Sequence, residues 1–235
     1  MKTVLITGAS QGIGAATAEV FWDAGWHVGL LARNAAALTD LAQGRAATVL
    51  ACDVTDPDQV SDAVGAFVNA AGRLDVVFGP QGTIDTIEYA AWRQVMDVNL
   101  NGMFLVAQAA FAQMRSQTPM GGRIINNGSI SAHSPREGSV CYTASKHAIT
   151  GLTKCLSLDG RPFDIACGQI DIGNARTDMV LDLEQRRADA GLDALPAMDV
   201  AVAAKAVLHM AELPAEANVQ QMTVMATKMP LVGRG

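Results

Sequence analysis

The chain has 235 residues, 50% of them hydrophobic and 17% charged, enough apolar material for one large buried core. Its formal charge of −6 argues against a nucleic-acid partner, and Cys52, Cys141, Cys155 and Cys167 show neither CxxC pairing nor metal-ligand spacing, so reduced thiols and no metal are expected. No basic segment followed by an apolar one opens the chain at Met1, and no uninterrupted apolar run reaches spanning length, so a cytoplasmic protein without a membrane partner is expected.

Residues 2–6 form a short apolar run that ends in Thr7-Gly8-Ala9-Ser10-Gln11-Gly12-Ile13-Gly14, and residues 15–24 then favour a helix. Strand, glycine loop and helix in this order suit a pyrophosphate: the glycines permit a tight turn, and the helix start offers free N–H groups and a positive dipole end. Gly8, Ser10, Gln11, Gly12, Ile13 and Gly14 are therefore candidate cofactor contacts. An ordinary strand-to-helix turn is the alternative, and it seldom needs three glycines.

Residues 27–32 are the second expected strand, followed by Arg33. An acidic residue at such a strand end would take the ribose 2′-hydroxyl of NAD. Ala32 leaves that place empty, and Arg33 offers a guanidinium to a 2′-phosphate, which favours NADP. A solvated surface arginine is the other reading. The strand 47–51 runs into Cys52-Asp53-Val54-Thr55, where Asp53 suits either an adenine amino group or an ordinary turn. Asp56 and Pro57 then start a helix to about Ala71, with proline tolerated at its first position.

A strand over 74–78 leads into Gly79-Pro80-Gln81-Gly82. Residues 88–117 suggest two helices with Asp97-Val98-Asn99-Leu100-Asn101-Gly102 between or within them, and an asparagine in so apolar a stretch needs hydrogen-bond partners. Ile124 and Ile125 mark a buried strand that delivers Ser129 at its carboxyl end, where ligands bind in open α/β sheets. Tyr142 and Lys146, four residues apart, share one helix face, and a nearby ammonium favours the phenolate of a tyrosine that otherwise titrates near ~10. Taken by itself such a pair is most often an amphipathic surface pair, and its weight comes from the motifs elsewhere in the chain. A sixth strand is expected over 164–170, a loop over 173–177, a polar helical region over 177–191, a helix over 198–211 and a last strand over 221–226.

With Thr7-Gly8-x-x-x-Gly12-x-Gly14, Asn99, Ser129 and Tyr142-x-x-x-Lys146 in this order, the chain resembles the short-chain dehydrogenase/reductase family along essentially its whole length. The resemblance implies a single doubly wound α/β domain over residues 1–235, Rossmann-like, with about seven parallel strands and helices on both faces. It implies that Tyr142 is the general acid/base, that Lys146 binds the nicotinamide ribose and lowers the tyrosine's pKa, and that Ser129 orients the substrate oxygen. Asn99 matches the asparagine that holds a water in the proton relay. Ser131 competes for the serine role, but the thirteen-residue spacing to Tyr142 favours Ser129.

The implied reaction is hydride transfer between NADP and a carbonyl/alcohol pair, in a homo-oligomer, tetramer or dimer. A catalytically weak or inactive nucleotide-binding regulator on the same fold and a purely structural subunit are the rival readings. Three departures from the family pattern stand out. Gly79-Pro80-Gln81-Gly82 replaces Asn-Asn-Ala-Gly after the fourth strand, with a short segment following it. Asn69-Ala70-Ala71-Gly72 resembles the missing motif but precedes the strand, so it is read as coincidence. Ile172-Gly173 replaces Pro-Gly after the sixth strand, leaving these two residues, the backbone near Ala175 and Thr177 to meet the carboxamide and phosphate. His133 and Arg136 lie where they could meet an anionic substrate, or simply water.

Overall fold

The structure, a computed structural model, describes residues 1–78, 89–135 and 139–232. Gly79-Pro80-Gln81-Gly82 and Arg136 lie outside the described residues.

The apolar runs become strands of a sheet covered on both faces, so their side chains are buried whichever way they point. In β1 (Thr3–Thr7) every residue is buried, Val4 and Ile6 in one hydrophobic cluster and Leu5 in the other. After α1 (Gly12–Asp23) come β2 (His27–Ala32), α2 (Ala35–Ala42) and β3 (Ala47–Ala51). The helix α3 (Pro57–Ala71) begins as its sequence dictates: Asp56 caps it, its Oδ1 accepting from the amides of Asp58 and Gln59 at 3.0 and 3.1 Å. It ends on Gly72 at φ 86, so the Asn69–Gly72 look-alike is a helix C-cap.

The fourth strand, β4 (Val76–Phe78), starts two residues later than expected because Asp75 is engaged sideways, its Oδ2 accepting from the Thr3 amide at 2.9 Å. Next come α4 (Tyr89–Met96), a π-helical turn (Asp97–Asn101) and α5 (Gly102–Ser116), a continuous helical stretch of 28 residues that by length and composition alone could cross a membrane. Here Val106, Ala110 and Met114 of α5 face the sheet and are buried in its core.

Beyond it lie β5 (Gly122–Asn127), α6 (Val140–Gly160) and β6 (Ile165–Ile172). The sixth strand begins after Asp164, which takes a left-handed φ of 54, and runs two residues further than expected. Two-residue strands β7 (Ala175–Arg176) and β8 (Met198–Asp199) pair in parallel and flank α7 (Asp178–Asp189). That pairing takes Met198 out of the last long helix. Asp199 caps it by accepting from the Ala201 amide at 2.8 Å, so α8 is Val200–Glu212, and β9 (Gln221–Val224) closes the sheet.

The described strands order as β3-β2-β1-β4-β5-β6-β9, all parallel. Phe21 and Trp22 of α1, Leu38 of α2 and Val207 of α8 cover one face. On the other lie Val60, Val64 and Phe67 of α3 with the buried residues of α5. This is the doubly wound α/β fold. Its strand order reverses between β1 and β4, and the carboxyl ends there form the crevice where such folds bind ligands.

Candidate active site

The turn from β1 into α1 passes through Gly8 and Gly12 at φ 64 and 56, a region that side chains other than glycine enter only under strain. Gly14 is confined in another way: a Cβ there would strike the carbonyl oxygen of Gly8, so the helix sits directly on the loop. Gln11 at the N-cap makes no side-chain hydrogen bond to the helix, which leaves the first-turn amides without a built-in cap. They line a groove of about 560 Å³, within the range of sites for small molecules and cofactors.

Gly8 and the residues from Ser10 to Gly14 of the glycine loop, Arg33 after β2, Asp53 and Val54 after β3, and Thr177 before α7 all line this one groove. Thr177 reaches over the loop so closely that a Cβ on Gly12 would lie 3.3 Å from its Cγ2. Arg33 and Asp53 also border an adjoining cleft of about 280 Å³ with Arg93 and Asp97. Asp53 is partly engaged in its own turn, Oδ1 accepting from the Thr55 amide and hydroxyl at 3.0 and 2.9 Å. Ile172 and Gly173 do not line the groove: a Cβ on Gly173 would lie 2.8 Å from the Met225 Cβ and 2.9 Å from the Met229 sulfur.

Cys52 borders the groove too, but burial and the nearby Asp53 and Asp56 carboxylates push its thiol up to about 11. At neutral pH it is protonated and a poor nucleophile. Asn127, the last residue of β5, lines the groove with a buried Oδ1 that has no hydrogen-bond partner among the described residues. The glycine cradle, the uncapped helix start and this orphaned acceptor fit a dinucleotide.

The strand β5 ends beside α6, and there the remaining sequence candidates gather. Tyr142 and Lys146 share the inner face of α6, both buried, with the Lys146 Nζ 5.8 Å from the centre of the Tyr142 ring. Lys146 Nζ donates to the Asn127 carbonyl at 2.7 Å. Burial pushes its ammonium down from an ordinary 10.5 to about 7, and the Asp171 carboxylate opposes the fall. Ser129 follows two residues after β5, and its Oγ accepts from the Ser131 amide at 3.1 Å, capping a short 3₁₀ turn over Ile130–Ala132. Ser131 is buried in that turn.

Asn99 lies in the π-helical turn, a distortion often found at functional sites. Its Nδ2 donates to Ser145 Oγ at 3.2 Å, and that hydroxyl donates to the Tyr142 carbonyl at 2.8 Å, so Asn99 is tied to the helix carrying Tyr142. Its Oδ1 is buried with no partner among the described residues.

Two residues at this end of the sheet escape a reading by motif. Asp171 sits near the end of β6 with no exposed surface, and its carboxylate accepts four hydrogen bonds: Oδ1 from the Ser129 amide at 2.8 Å and Gln169 Nε2 at 2.7 Å, Oδ2 from His133 Nε2 at 2.8 Å and Gln221 Nε2 at 2.9 Å. His133 is thus committed to a buried carboxylate. The available signal was the Asp in Ile170-Asp171-Ile172, since a charge inside a buried strand demands partners.

Comparison with known proteins agrees with the fold and the motifs. The family model for short chain dehydrogenase matches residues 2–188. Sulfoacetaldehyde reductase 2 of Chromohalobacter salexigens is 30% identical over 96% of this chain and 94% of its own length. A short-chain type dehydrogenase/reductase from Mycobacterium marinum superposes with a TM-score of 0.83 at 27% identity, covering 95% of this chain and 93% of that one. A single-residue variant of actinorhodin polyketide ketoreductase, solved with NADPH, shares the fold with a TM-score of 0.86 at 24% identity over 96% of each chain. The chain belongs to the short-chain dehydrogenase/reductase family, and its relatives are oxidoreductases.

Proposed function

We propose that this protein is an NADP-dependent oxidoreductase acting on a carbonyl/alcohol pair, with the whole chain as one catalytic domain. The observation that carries the reading is the convergence at one end of the sheet of a pyrophosphate cradle (Gly8 to Gly14) and a buried tyrosine–lysine pair beside Ser129. A binding module has no use for the second of these.

Arg33 is the residue that selects NADP, by pairing with the 2′-phosphate where Ala32 offers no carboxylate to a 2′-hydroxyl. When bound, the nicotinamide supplies or accepts the hydride. Tyr142 gives its phenolic proton to the carbonyl oxygen in reduction and takes it back in oxidation. Lys146 holds the ribose and stabilises the phenolate. Ser129 Oγ, already accepting from the Ser131 amide, keeps its own hydrogen to donate to the substrate oxygen. Asn99, fixed to α6 through Ser145, presents to the relay an Oδ1 that has no partner among the described residues. The aldehyde named for the Chromohalobacter relative fits reduction of a small carbonyl compound. A homo-oligomer, tetramer or dimer, is supported by exposed apolar side chains on two helices, Phe104 of α5 (46%) and Leu158 of α6 (59%).

The experiment is calorimetric titration with NADPH and NADH, followed by a panel of aldehydes and ketones with NADPH consumption as the readout. Tight NADPH binding with turnover of at least one carbonyl is expected. Binding without turnover would instead mark a regulatory nucleotide binder, and no binding a structural subunit.

A further inference from the structure

The segment Asn127-Gly128-Ser129 carries the serine away from β5, and two opposite charges hold its ends. At the start Lys146 Nζ donates to the Asn127 carbonyl; two residues on, the Ser129 amide donates to Asp171 Oδ1 at 2.8 Å. Between them Gly128 donates to the Ile170 carbonyl at 2.8 Å, and a Cβ on Gly128 would collide with Asp171 Oδ1. The carboxylate is therefore pressed against the backbone that sets where Ser129 points. Its other oxygen is gripped by His133, directly after the 3₁₀ turn Ile130–Ala132, and by Gln221 at the start of β9. Gln169, which also donates to Thr150 of α6 at 3.0 Å, links the carboxylate to the helix of Tyr142 and Lys146.

A fully buried carboxylate is costly unless its acceptor sites are filled, and here four donors fill them. Hydrophobic side chains at this depth would serve the core as well or better. A structural role alone leaves the choice of a charge unexplained. We propose that Asp171 is a positioning residue for the reaction, fixing Ser129 through its amide and supplying the negative charge that faces Lys146 from the sheet. The proposal deepens the reading of this site as an oxidoreductase centre and rests on it. Burial drives Lys146 toward the neutral amine, and the Asp171 carboxylate opposes this. Among the described residues, the titratable groups around the pair are Tyr142 on the same helix as Lys146 and His133 beside Asp171.

The test is Asp171→Asn, which keeps the shape and removes the charge. Against a carbonyl that the unmutated enzyme reduces, kcat should fall about tenfold or more at a temperature where the variant is fully folded, with NADPH Kd within about twofold. The high-pH limb of the reduction profile, where the tyrosine–lysine pair loses its proton, should move down by about half a unit to one unit, because an anion that favoured the protonated pair is gone.

A second readout needs no substrate, so failure of the proposal is separable from failure of the enzymatic reading. The stability deficit of Asp171→Asn relative to the parent, measured by urea unfolding of the cofactor-free protein, should be largest below pH 7 and narrow as pH rises through 7, because below it the variant buries the Lys146 ammonium with the attraction of the Asp171 carboxylate removed. A deficit that is constant with pH, or a folded variant with parental kcat and pH profile, would overturn the proposal. Should Asp171→Asn not fold, His133→Ala carries the test. It removes one donor and keeps the carboxylate, and a several-fold loss of kcat at unchanged NADPH Kd is expected, whereas parental kcat would overturn it.

Discussion

The ammonium nitrogen of Lys146 stands 5.8 Å from the centre of the Tyr142 ring, one helical turn away on the inner face of α6. Neither side chain is open to solvent. The arrangement holds a cation against a phenol without the screening by water that would weaken the same pair on a surface.

That burial has a signature in stability. Lys146 titrates near 7 in the fold and at 10.5 ordinarily, so between these values the unfolded chain carries a proton that the folded chain lacks. Where the unfolded state binds more protons, stability rises with pH. The contribution is fully present above 10.5 and is lost as pH falls through 7. Urea unfolding of the cofactor-free protein between pH 6.5 and about 9.5 should therefore show a slope that Lys146→Met abolishes, while that variant also loses NADPH affinity and turnover. Parallel pH curves for parent and variant would mean that the lysine is not desolvated as described.

Arg33 borders both the groove and its neighbouring cleft. A charge-assisted arginine contact to phosphate is worth roughly 1.5 to 3 kcal/mol, so Arg33→Ala should weaken NADPH binding by about ten- to 150-fold and leave NADH nearly unchanged. Calorimetry with both cofactors decides it. Equal affinity of the unmutated protein for the two would remove the case for NADP.

Gly14→Ala puts a methyl group against the Gly8 carbonyl, a backbone atom that cannot step aside. A loss of about 1 to 3 kcal/mol in stability is expected, with weaker cofactor binding because the loop itself must shift. Thermal unfolding and NADPH titration of the one variant report both effects. A parental midpoint would show that the helix can slide off the loop at no cost.

Much of this fold is legible locally. The strands His27–Ala32 and Ala47–Ala51 and the helix Pro57–Ala71 fall where the sequence places them, because apolar runs, an aspartate cap, a proline at the first position and a left-handed glycine act over a few residues. The same logic places Tyr142 and Lys146 on one face. What local pattern does not reveal is any feature built from distant partners. Asp171 meets the Ser129 amide, His133 and Gln221 across 42, 38 and 50 positions of chain, and in the sequence it is only a carboxylate in an apolar run. His133, open to a role in anion binding when read as a loop residue, is committed to that carboxylate. The π-helical turn at Asn99 has no compositional mark, since it differs from α-helix only in which carbonyl each amide finds. The early end of the last strand, at Val224, follows from where its pairing with β6 runs out at Ile172.

The exposed Phe104 and Leu158 should be covered in a homo-oligomer. Light scattering at micromolar concentration should give a mass of two or four chains, and Phe104→Glu should lower it. A monomeric mass for the unmutated protein would contradict this.

The role of Tyr142 is tested most directly by single-turnover reduction of a carbonyl substrate by the Tyr142→Phe variant preloaded with NADPH. Only a hydroxyl is removed from a buried site, so fold and NADPH affinity should stay within about twofold of the parent, while hydride transfer falls by about 10²- to 10⁴-fold, the usual worth of a positioned proton donor. A variant that binds NADPH normally and still transfers hydride within a few-fold of the parent rate would show that the proton comes from elsewhere, and that the tyrosine–lysine pair is not the chemical centre of this protein.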